Sequence, residues 1–276
     1  MIPVSSKSLI CGRGTGAGMV TVMAMAFAGK MTAENTPRRQ SVKQNQTAKT
    51  VFRPLSFGLI QRLDREWLGR HHGAMGSIIY LLRHGETHWN RAGRLQGQLD
   101  SPLTLRGLDQ ARAMGRTLAP LLAERTFTFW ASPIGRCRQS AAIIAETIGF
   151  AEDGIRLDDR LKEITLGDWD GARSWAALDT DHPEEAAKRR ANPWHYQYPN
   201  GESSQLVENR VVPFFLELES TPGIHVVVAH GVVNKILRGF IQGLDHAATF
   251  ALDRPQDGFY RIENRRVELI TTDAPN

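Results

Sequence analysis

The feature that most constrains the fold is an apolar run at residues 224–229, with the sequence Ile-His-Val-Val-Val-Ala. The run is largely β-branched and apolar on both faces, a pattern typical of a central strand in a parallel sheet. Because both faces of such a strand must be covered, helices are expected on each side of the sheet. This run therefore predicts a layered α/β fold.

The rest of the chain after Met75 alternates strand and helix patterns. A polar loop follows the first strand through about Ser101, and Gly149 marks the end of one helix. Strands are predicted at residues 78–82 and 127–131. One helix is predicted to begin after Thr104, its N-cap, and two more are predicted at residues 137–148 and 232–241. An edge hairpin is predicted from the strands at residues 259–262 and 267–270. This order predicts a three-layer α/β/α sandwich with a mostly parallel central sheet.

Residues 1–74 are predicted to be a basic, poorly ordered leader that precedes a domain at residues 75–276. They carry a net charge of +8, whereas the whole chain carries +5, so the domain carries −3. Because the domain is mildly acidic, no nucleic-acid partner is expected. The apolar run at residues 19–28 is too short to span a bilayer and resembles a secretory signal. The alternative that we favour is translation from Met75. We therefore expect that the protein is cytoplasmic and does not associate stably with a membrane. It would be exported only if the apolar run is a true signal.

Two of the predicted strands end in the same way, with a histidine followed by a glycine. Arg83-His84-Gly85 follows the first strand, and His230-Gly231 follows the central one. Arg136 lies five residues beyond the strand at residues 127–131. Ligands of open α/β sheets bind beyond the carboxyl ends of the strands, so these side chains are expected to converge on one pocket. A lone histidine in such a place is usually structural, but two of them with two arginines favour a functional site.

The residue types in this pocket indicate phosphoryl chemistry. Zinc binding is disfavoured because Arg83 and Arg136 would repel the cation, and neither Cys11 nor Cys137 has the spacing of a zinc site. The chain has no Gly-x-Ser-x-Gly elbow for acyl transfer, and Cys137 is interpreted as a small core residue. Two guanidiniums and two imidazoles suit a tetrahedral dianion, with one neutral imidazole as the nucleophile towards phosphorus.

A leaving alkoxide needs a proton, which a carboxyl group in a nearby loop can supply. Residues 161–171 offer three candidates, Glu163, Asp168 and Asp170. A carboxylate in a loop is usually solvated, but one beside a bound dianion can act as a general acid.

The motifs occur in a fixed order along residues 75–276. They are Arg83-His84-Gly85-Glu86-Thr87 with Asn90, Ser132-Pro133 with Arg136, Glu163 ahead of Gly167-Asp168-Trp169-Asp170-Gly171, and His230-Gly231. As a set they resemble the histidine phosphatase superfamily, in its phosphoglycerate-mutase-like branch with the Arg-His-Gly signature. The resemblance implies the same three-layer fold.

The resemblance also implies a role for individual residues. His84 would be the nucleophile that forms a phosphohistidine. Glu163 would give a proton to the leaving group and later activate water. The phosphate pocket and the contacts to substrate would come from Arg83, Arg136, His230, Asn90 and Gln96. The family needs no metal, and no cofactor is expected.

The segment between Gly171 and Gly201 bears on whether the chain is a phosphatase or a mutase. Cofactor-dependent mutases of the family carry a longer insertion with extra cations, whereas these glycines are only 30 positions apart. The segment holds a basic cluster at residues 188–190, which is either a solvated helix face or an anion site. It also holds aromatic residues at 194–198, which either pack a lid against the domain or contact the substrate. We expect a metal-independent phosphatase acting on a small phosphomonoester. The alternatives are a 2,3-bisphosphoglycerate-dependent phosphoglycerate mutase and a non-catalytic regulatory protein, and a homodimer is left open.

Overall fold

The computed structural model describes residues 76–273, and the predictions made for residues 1–74 lie outside this part of the chain. Its strands are β1 (Ser77–Arg83), β2 (Phe127–Ala131), β3 (Arg156–Leu157), β4 (Gly223–Ala229), β5 (Gly258–Glu263) and β6 (Arg266–Thr271). Its α-helices are α1 (His88–Arg91), α2 (Leu105–Leu122), α3 (Gly135–Ile148), α4 (Trp175–Asp181), α5 (Pro183–Ala191), α6 (Ser204–Ser220), α7 (Gly231–Gln242) and α8 (His246–Ala251). None of these helices combines the length and apolarity needed to cross a bilayer.

β4 lies inside the sheet, as its apolar run predicts. The strand order is β3-β2-β4-β1-β5-β6. β4 pairs in parallel with β1 and β2, whereas β5 and β6 form an antiparallel hairpin at one edge. In this register Arg83 lies opposite Ala229 and Ala131 lies opposite Val228. The carboxyl ends of the three strands therefore lie side by side.

Alternate side chains of β1 enter two hydrophobic cores, one on each face of the sheet. Ile79 and Leu81 pack in a core with residues of α6 and α7. Ile78, Tyr80 and Leu82 pack in a second core with residues of α2 and α3. Burying each such side chain stabilises the fold by about 1.5–3 kcal/mol relative to exposing it. The two cores confirm the predicted three-layer α/β/α sandwich.

The predicted helix ends at Thr104 and Gly149 are confirmed, whereas β3 and the helices α1, α4, α5, α6 and α8 were not predicted. Thr104 Oγ1 accepts a hydrogen bond from Gly107 N at 3.0 Å at the start of α2, and Gly149 ends α3 with a φ of 72°. The segment predicted as a polar loop before Ser101 contains α1. This single turn is held by reciprocal hydrogen bonds between Thr87 and Asn90, and it is too short for an apolar period to reveal it.

Candidate active site

His84 follows the last residue of β1 and is 2% exposed. Its Nδ1 lies 2.8 Å from the carbonyl oxygen of Gly85, which can only accept a hydrogen bond, so Nδ1 carries the ring proton. Burial and the guanidiniums of Arg136 and Arg83 lower the pKa of His84 well below its usual value. The imidazole is therefore neutral, and its Nε2 holds a lone pair.

Arg136 lies in the first turn of α3 and directly contacts that nitrogen. Its Nε donates to His84 Nε2 at 3.3 Å. Nη2 donates to the carbonyl oxygen of Gly97 and Nη1 to that of Leu99, each at 2.8 Å, and Nη1 also lies 3.4 Å from Asp100 Oδ1. The connection between α1 and α2 thus fixes the guanidinium where a phosphoryl oxygen at His84 would be within reach.

His230 follows the last residue of β4, and its ring centroid lies 5.3 Å from that of His84. Its Nε2 is 2.7 Å from Ser132 Oγ and 3.4 Å from Cys137 Sγ. Burial and the guanidinium of Arg136 lower the pKa of His230 well below its usual value. Both imidazoles are neutral, so the positive charge of the pocket comes from arginines. Cys137 is fully buried, and burial raises the pKa of its thiol, which confirms its interpretation as a core residue.

Arg83, the last residue of β1, supplies the second guanidinium. Its Nη1 donates to the carbonyl oxygen of Arg254 at 2.5 Å, while its Nε has no hydrogen-bond partner among the described residues. Burial, followed by the nearby Arg254 guanidinium, lowers the pKa of Arg83 to about 10, and the carboxylate of Glu163 acts in the opposite direction. Arg83 remains charged at neutral pH, and its Nε–H is available to a bound anion.

Glu163 lies between Arg83 and the start of α7. Its Oε1 accepts from the backbone nitrogen of Ile164 at 3.0 Å, and its Oε2 accepts from that of Val232 at 3.2 Å. These two contacts hold the carboxyl group at the first turn of α7, which directly follows His230. Glu163 is therefore placed beside the phosphate pocket.

The other two carboxylates of the loop are occupied by structural hydrogen bonds. Asp170 accepts from Leu166 N at 2.7 Å and from Gln98 N at 3.1 Å. Asp168 accepts from Asn200 Nδ2 at 3.1 and 3.0 Å. Of the three carboxylates in this loop, Glu163 is the one that lies at the start of α7 and acts on Arg83, so it is the candidate acid.

Asn90 borders the pocket, and Gln96 precedes Gly97, whose carbonyl oxygen accepts from Arg136. Asn90 Oδ1 accepts from Thr87 N at 3.2 Å and from Gln256 Nε2 at 3.3 Å, so its Nδ2 is the atom left to donate to a ligand. Gln96 is 8% exposed, and its Oε1 has no hydrogen-bond partner among residues 76–273. The structure thus brings His84, His230, Arg83, Arg136, Glu163 and Asn90 to the carboxyl edge of the sheet, whereas the Gln96 side chain makes no hydrogen bond to any of them.

The connection at residues 252–257, between α8 and β5, is the part of the site that the sequence analysis missed. Gln256 Nε2 donates to the carbonyl oxygen of His84 at 3.0 Å, and Asp253 pairs with Arg238 at 2.8 Å. No motif marks this connection. Its position follows from the antiparallel pairing of β5 with β1, which brings the start of β5 to the carboxyl end of β1.

Several known proteins resemble this chain. The "Putative phosphoserine phosphatase 2" of Hydrogenobacter thermophilus is 31% identical over 154 residues, covering 55% of this chain and 72% of that protein. The "Probable phosphoglycerate mutase GpmB" of Erwinia tasmaniensis is 34% identical over 193 residues, covering 68% of this chain and 85% of the relative. The solved structure of a mycobacterial glucosyl-3-phosphoglycerate phosphatase has a TM-score of 0.59 and 29% identity, covering 72% of this chain and 99% of its own.

A family model extends over most of the described residues. It is described as histidine phosphatase superfamily (branch 1), and it matches residues 79–268. The matched range includes each of the predicted site residues and the whole central sheet except the first two residues of β1 and the last three of β6. This chain therefore belongs to the histidine phosphatase superfamily and is an enzyme of the phosphatase class.

Proposed function

We propose that this protein hydrolyses small phosphomonoesters through a phosphohistidine on His84, without a metal ion. The observation that carries the proposal is the state of that ring. Nδ1 is tied to the carbonyl oxygen of Gly85, and the lone pair of Nε2 meets the Nε–H of Arg136. A neutral imidazole beside a guanidinium is a nucleophile with a built-in site for the charge of the phosphoryl group.

In the first step His84 Nε2 attacks phosphorus. The Nε2–P bond forms while the bond between phosphorus and the leaving oxygen breaks, and Glu163 in its protonated form gives that oxygen a proton. Once the Nε2 lone pair is used, the Nε–H of Arg136 is free to donate to a phosphoryl oxygen, joined by the Nε–H of Arg83. Gly85 continues to accept from Nδ1, which stabilises the cationic ring.

In the second step water replaces the histidine. The carboxylate of Glu163 takes a proton from water, and the water oxygen attacks phosphorus. The Nε2–P bond breaks, inorganic phosphate leaves, and His84 regains its lone pair. Glu163 ends the cycle protonated, as it began, so the sequence of proton transfers closes on one residue.

The contacts of the basic cluster at residues 188–190 support hydrolysis over phosphoryl transfer to a second position. Lys188 pairs with Glu185 at 2.6 Å, and Arg189 and Arg190 both pair with Asp179. Each of these cations is paired with a carboxylate of α4 or α5, so they are poorly suited to hold the second phosphate of a bisphosphorylated intermediate.

The aromatic residues at 194–198 are used in packing. Trp194 is 3% exposed and stacks on His246 with ring centroids 4.1 Å apart. Tyr196 and Tyr198 lie against Trp169, with centroids 6.3 and 5.8 Å from it. These contacts favour a lid packed on the domain over residues that contact substrate.

A phosphoglycerate mutase is the second candidate, because several relatives carry the name "Probable phosphoglycerate mutase GpmB". Isomerisation of 3-phosphoglycerate that is stimulated by the bisphosphate would support it, whereas release of inorganic phosphate supports the phosphatase. A non-catalytic binding role is the third candidate, and it is disfavoured because His84, Glu163 and both pocket arginines are present and adjacent.

Hydrolysis of p-nitrophenyl phosphate in the presence of a chelator tests the proposal. We expect the wild-type protein to release phosphate and His84→Asn to lose at least about a thousandfold in kcat, as nucleophile removal does elsewhere. Asparagine can still donate to the carbonyl oxygen of Gly85 but has no atom at the place of Nε2. Residual activity close to wild type in a folded His84→Asn protein would reject His84 as the nucleophile, and loss of wild-type activity on chelation would reject metal independence.

A further inference from the structure

A third arginine, Arg254, lies at the mouth of the phosphate pocket. A Cβ placed on Gly231 would lie 3.1 Å from Arg254 Cδ and 3.3 Å from Arg83 Nε. The side chain of Arg254 therefore runs over Gly231, beside Arg83. Neither the motifs nor the proposed mechanism uses it.

Arg254 brings a positive charge that no neighbouring carboxylate neutralises. Asp253, the nearest acid along the chain, is engaged by Arg238 Nη2 and by Tyr260 OH, each at 2.8 Å. Within residues 76–273, Arg254 has no carboxylate at ion-pair distance. Its charge instead acts on Arg83 and Lys235, in both of which it lowers the pKa. Glu163 and Asp253 act on these cations in the opposite direction, but the cations outnumber the acids, and this excess of positive charge indicates that an anion completes the site.

The position of Glu163 shows which part of a substrate Arg254 faces. Glu163 Oε2 accepts from Val232 N, and Val232 follows the glycine over which Arg254 runs. Arg254 and the proposed proton donor therefore flank the same turn of α7. Because that donor must reach the leaving oxygen, Arg254 lies on the leaving-group side of the pocket.

The connection at residues 252–257 fixes the backbone of Arg254, whose side chain is exposed, before any ligand binds. The carbonyl oxygen of Arg254 accepts from Arg83 Nη1 at 2.5 Å, and Gln256 donates to the carbonyl oxygen of His84. On the other side, Arg238 donates to the carbonyl oxygen of Asp253 at 3.0 Å. A cation held in advance binds an anion without the entropic cost of ordering the loop.

We propose that Arg254 binds a carboxylate on the leaving group, so that the preferred substrates are phosphomonoesters that carry a carboxylate. The guanidinium fork matches a carboxylate in shape, and its single charge matches one carboxylate better than a second phosphate dianion. This inference rests on the proposed phosphatase function and names the substrate class for it.

The test compares two phosphomonoesters that differ at one carbon. 3-Phosphoglycerate carries a carboxylate where glycerol 3-phosphate carries a hydroxymethyl group. We expect the full-length wild-type protein to prefer 3-phosphoglycerate. Arg254→Gln should lose at least about tenfold more kcat/KM on 3-phosphoglycerate than on glycerol 3-phosphate, the loss of one charge-assisted hydrogen bond. Inhibition constants of both compounds against p-nitrophenyl phosphate hydrolysis give the same comparison where turnover is slow.

Two further variants serve as controls. Arg254→Lys keeps the charge but not the fork, so it should lie between Arg254→Gln and wild type. Arg266→Gln removes an exposed arginine from β6, at the hairpin that pairs with the opposite end of β1, and it should behave as wild type on both compounds. The backbone contact from Arg83 survives in each Arg254 variant, because it uses a carbonyl oxygen.

Equal losses on the two compounds would show that Arg254 acts on the transferred phosphoryl group, and no loss on either would show that it binds nothing. Both results overturn the inference while leaving the proposed function intact. A wild-type protein that releases phosphate from none of the three compounds would overturn the proposed function and the inference with it.

Discussion

At the scale of single residues, the chemistry depends on which carboxyl group reaches the leaving oxygen. The carboxyl group of Glu163 accepts hydrogen bonds from two backbone N–H groups, those of Ile164 and Val232. The two aspartates of the same loop are engaged by other partners of the loop and its neighbours. The spacing of the three acids along the chain could not make this distinction, because it depends on which backbone groups each carboxylate meets in the fold.

Replacing Glu163 should therefore affect substrates according to their leaving groups. In Glu163→Gln we expect kcat for an alkyl phosphate such as glycerol 3-phosphate to fall by about 10²–10⁴-fold, the usual contribution of a general acid. The first step with p-nitrophenyl phosphate should be affected much less, since nitrophenolate leaves without a proton. Stopped-flow measurement of the first turnover separates these effects. The same loss for both leaving groups would contradict the assignment of Glu163 as the acid.

At the scale of secondary-structure elements, the start of α2 fixes the loop that carries His84. Thr104 N donates to the carbonyl oxygen of Glu86 at 2.9 Å. A Cβ on Gly107 would overlap that same carbonyl oxygen, and a Cβ on Gly85 would overlap the carbonyl oxygen of Gly107. Two glycines thus let the helix and the loop pack backbone against backbone.

We expect Gly107→Ala to destabilise the protein even though alanine favours helix by about 1 kcal/mol over glycine. The obstructing atoms belong to the backbone and cannot move aside, so a loss of about 1–3 kcal/mol in the free energy of unfolding is expected from urea titration. Arg116→Ala, on an exposed position of the same helix, should change it by less than about 0.5 kcal/mol. A Gly107→Ala protein as stable as wild type would contradict this close packing.

Five of the six strands of the central sheet could be predicted because each has a local signal, whereas the two-residue, exposed β3 has none. β-branched apolar runs mark β1 and β4, and Thr104 and Gly149 mark helix ends. The histidines were found because they directly follow such runs. Arg254 and Gln256 were missed because they reach the site through strand pairing, and a connection of polar residues has no period that reveals where it lies.

At the scale of the whole molecule, burying two neutral imidazoles links stability to pH. The pKa values of His84 and His230 both lie well below their usual value of about 6.5 in the folded protein. Below that pH the unfolded chain takes up protons that the folded one does not. Each histidine's contribution is therefore fully present above about pH 7 and is lost as the pH falls.

We predict that the free energy of unfolding decreases between about pH 7 and pH 5, by up to about 1.4 kcal/mol per pH unit for each histidine. Urea titrations over this range measure the slope. The double variant His84→Asn/His230→Asn should show a slope smaller by up to about 2.7 kcal/mol per pH unit. Identical slopes in wild type and double variant would show that these imidazoles are not held neutral.

The central claim is that the phosphoryl group resides on His84 during turnover. In Glu163→Gln an aryl phosphate still transfers its phosphoryl group, but the step that needs an activated water is slowed, so the phosphoenzyme should accumulate. Rapid quenching of this variant with radiolabelled p-nitrophenyl phosphate should give stoichiometric protein-bound label that survives alkali and is lost in acid. The label should map to the peptide that contains His84, and it should be absent from the double variant Glu163→Gln/His84→Asn. Label on another residue, or turnover with no protein-bound phosphate, would contradict the account.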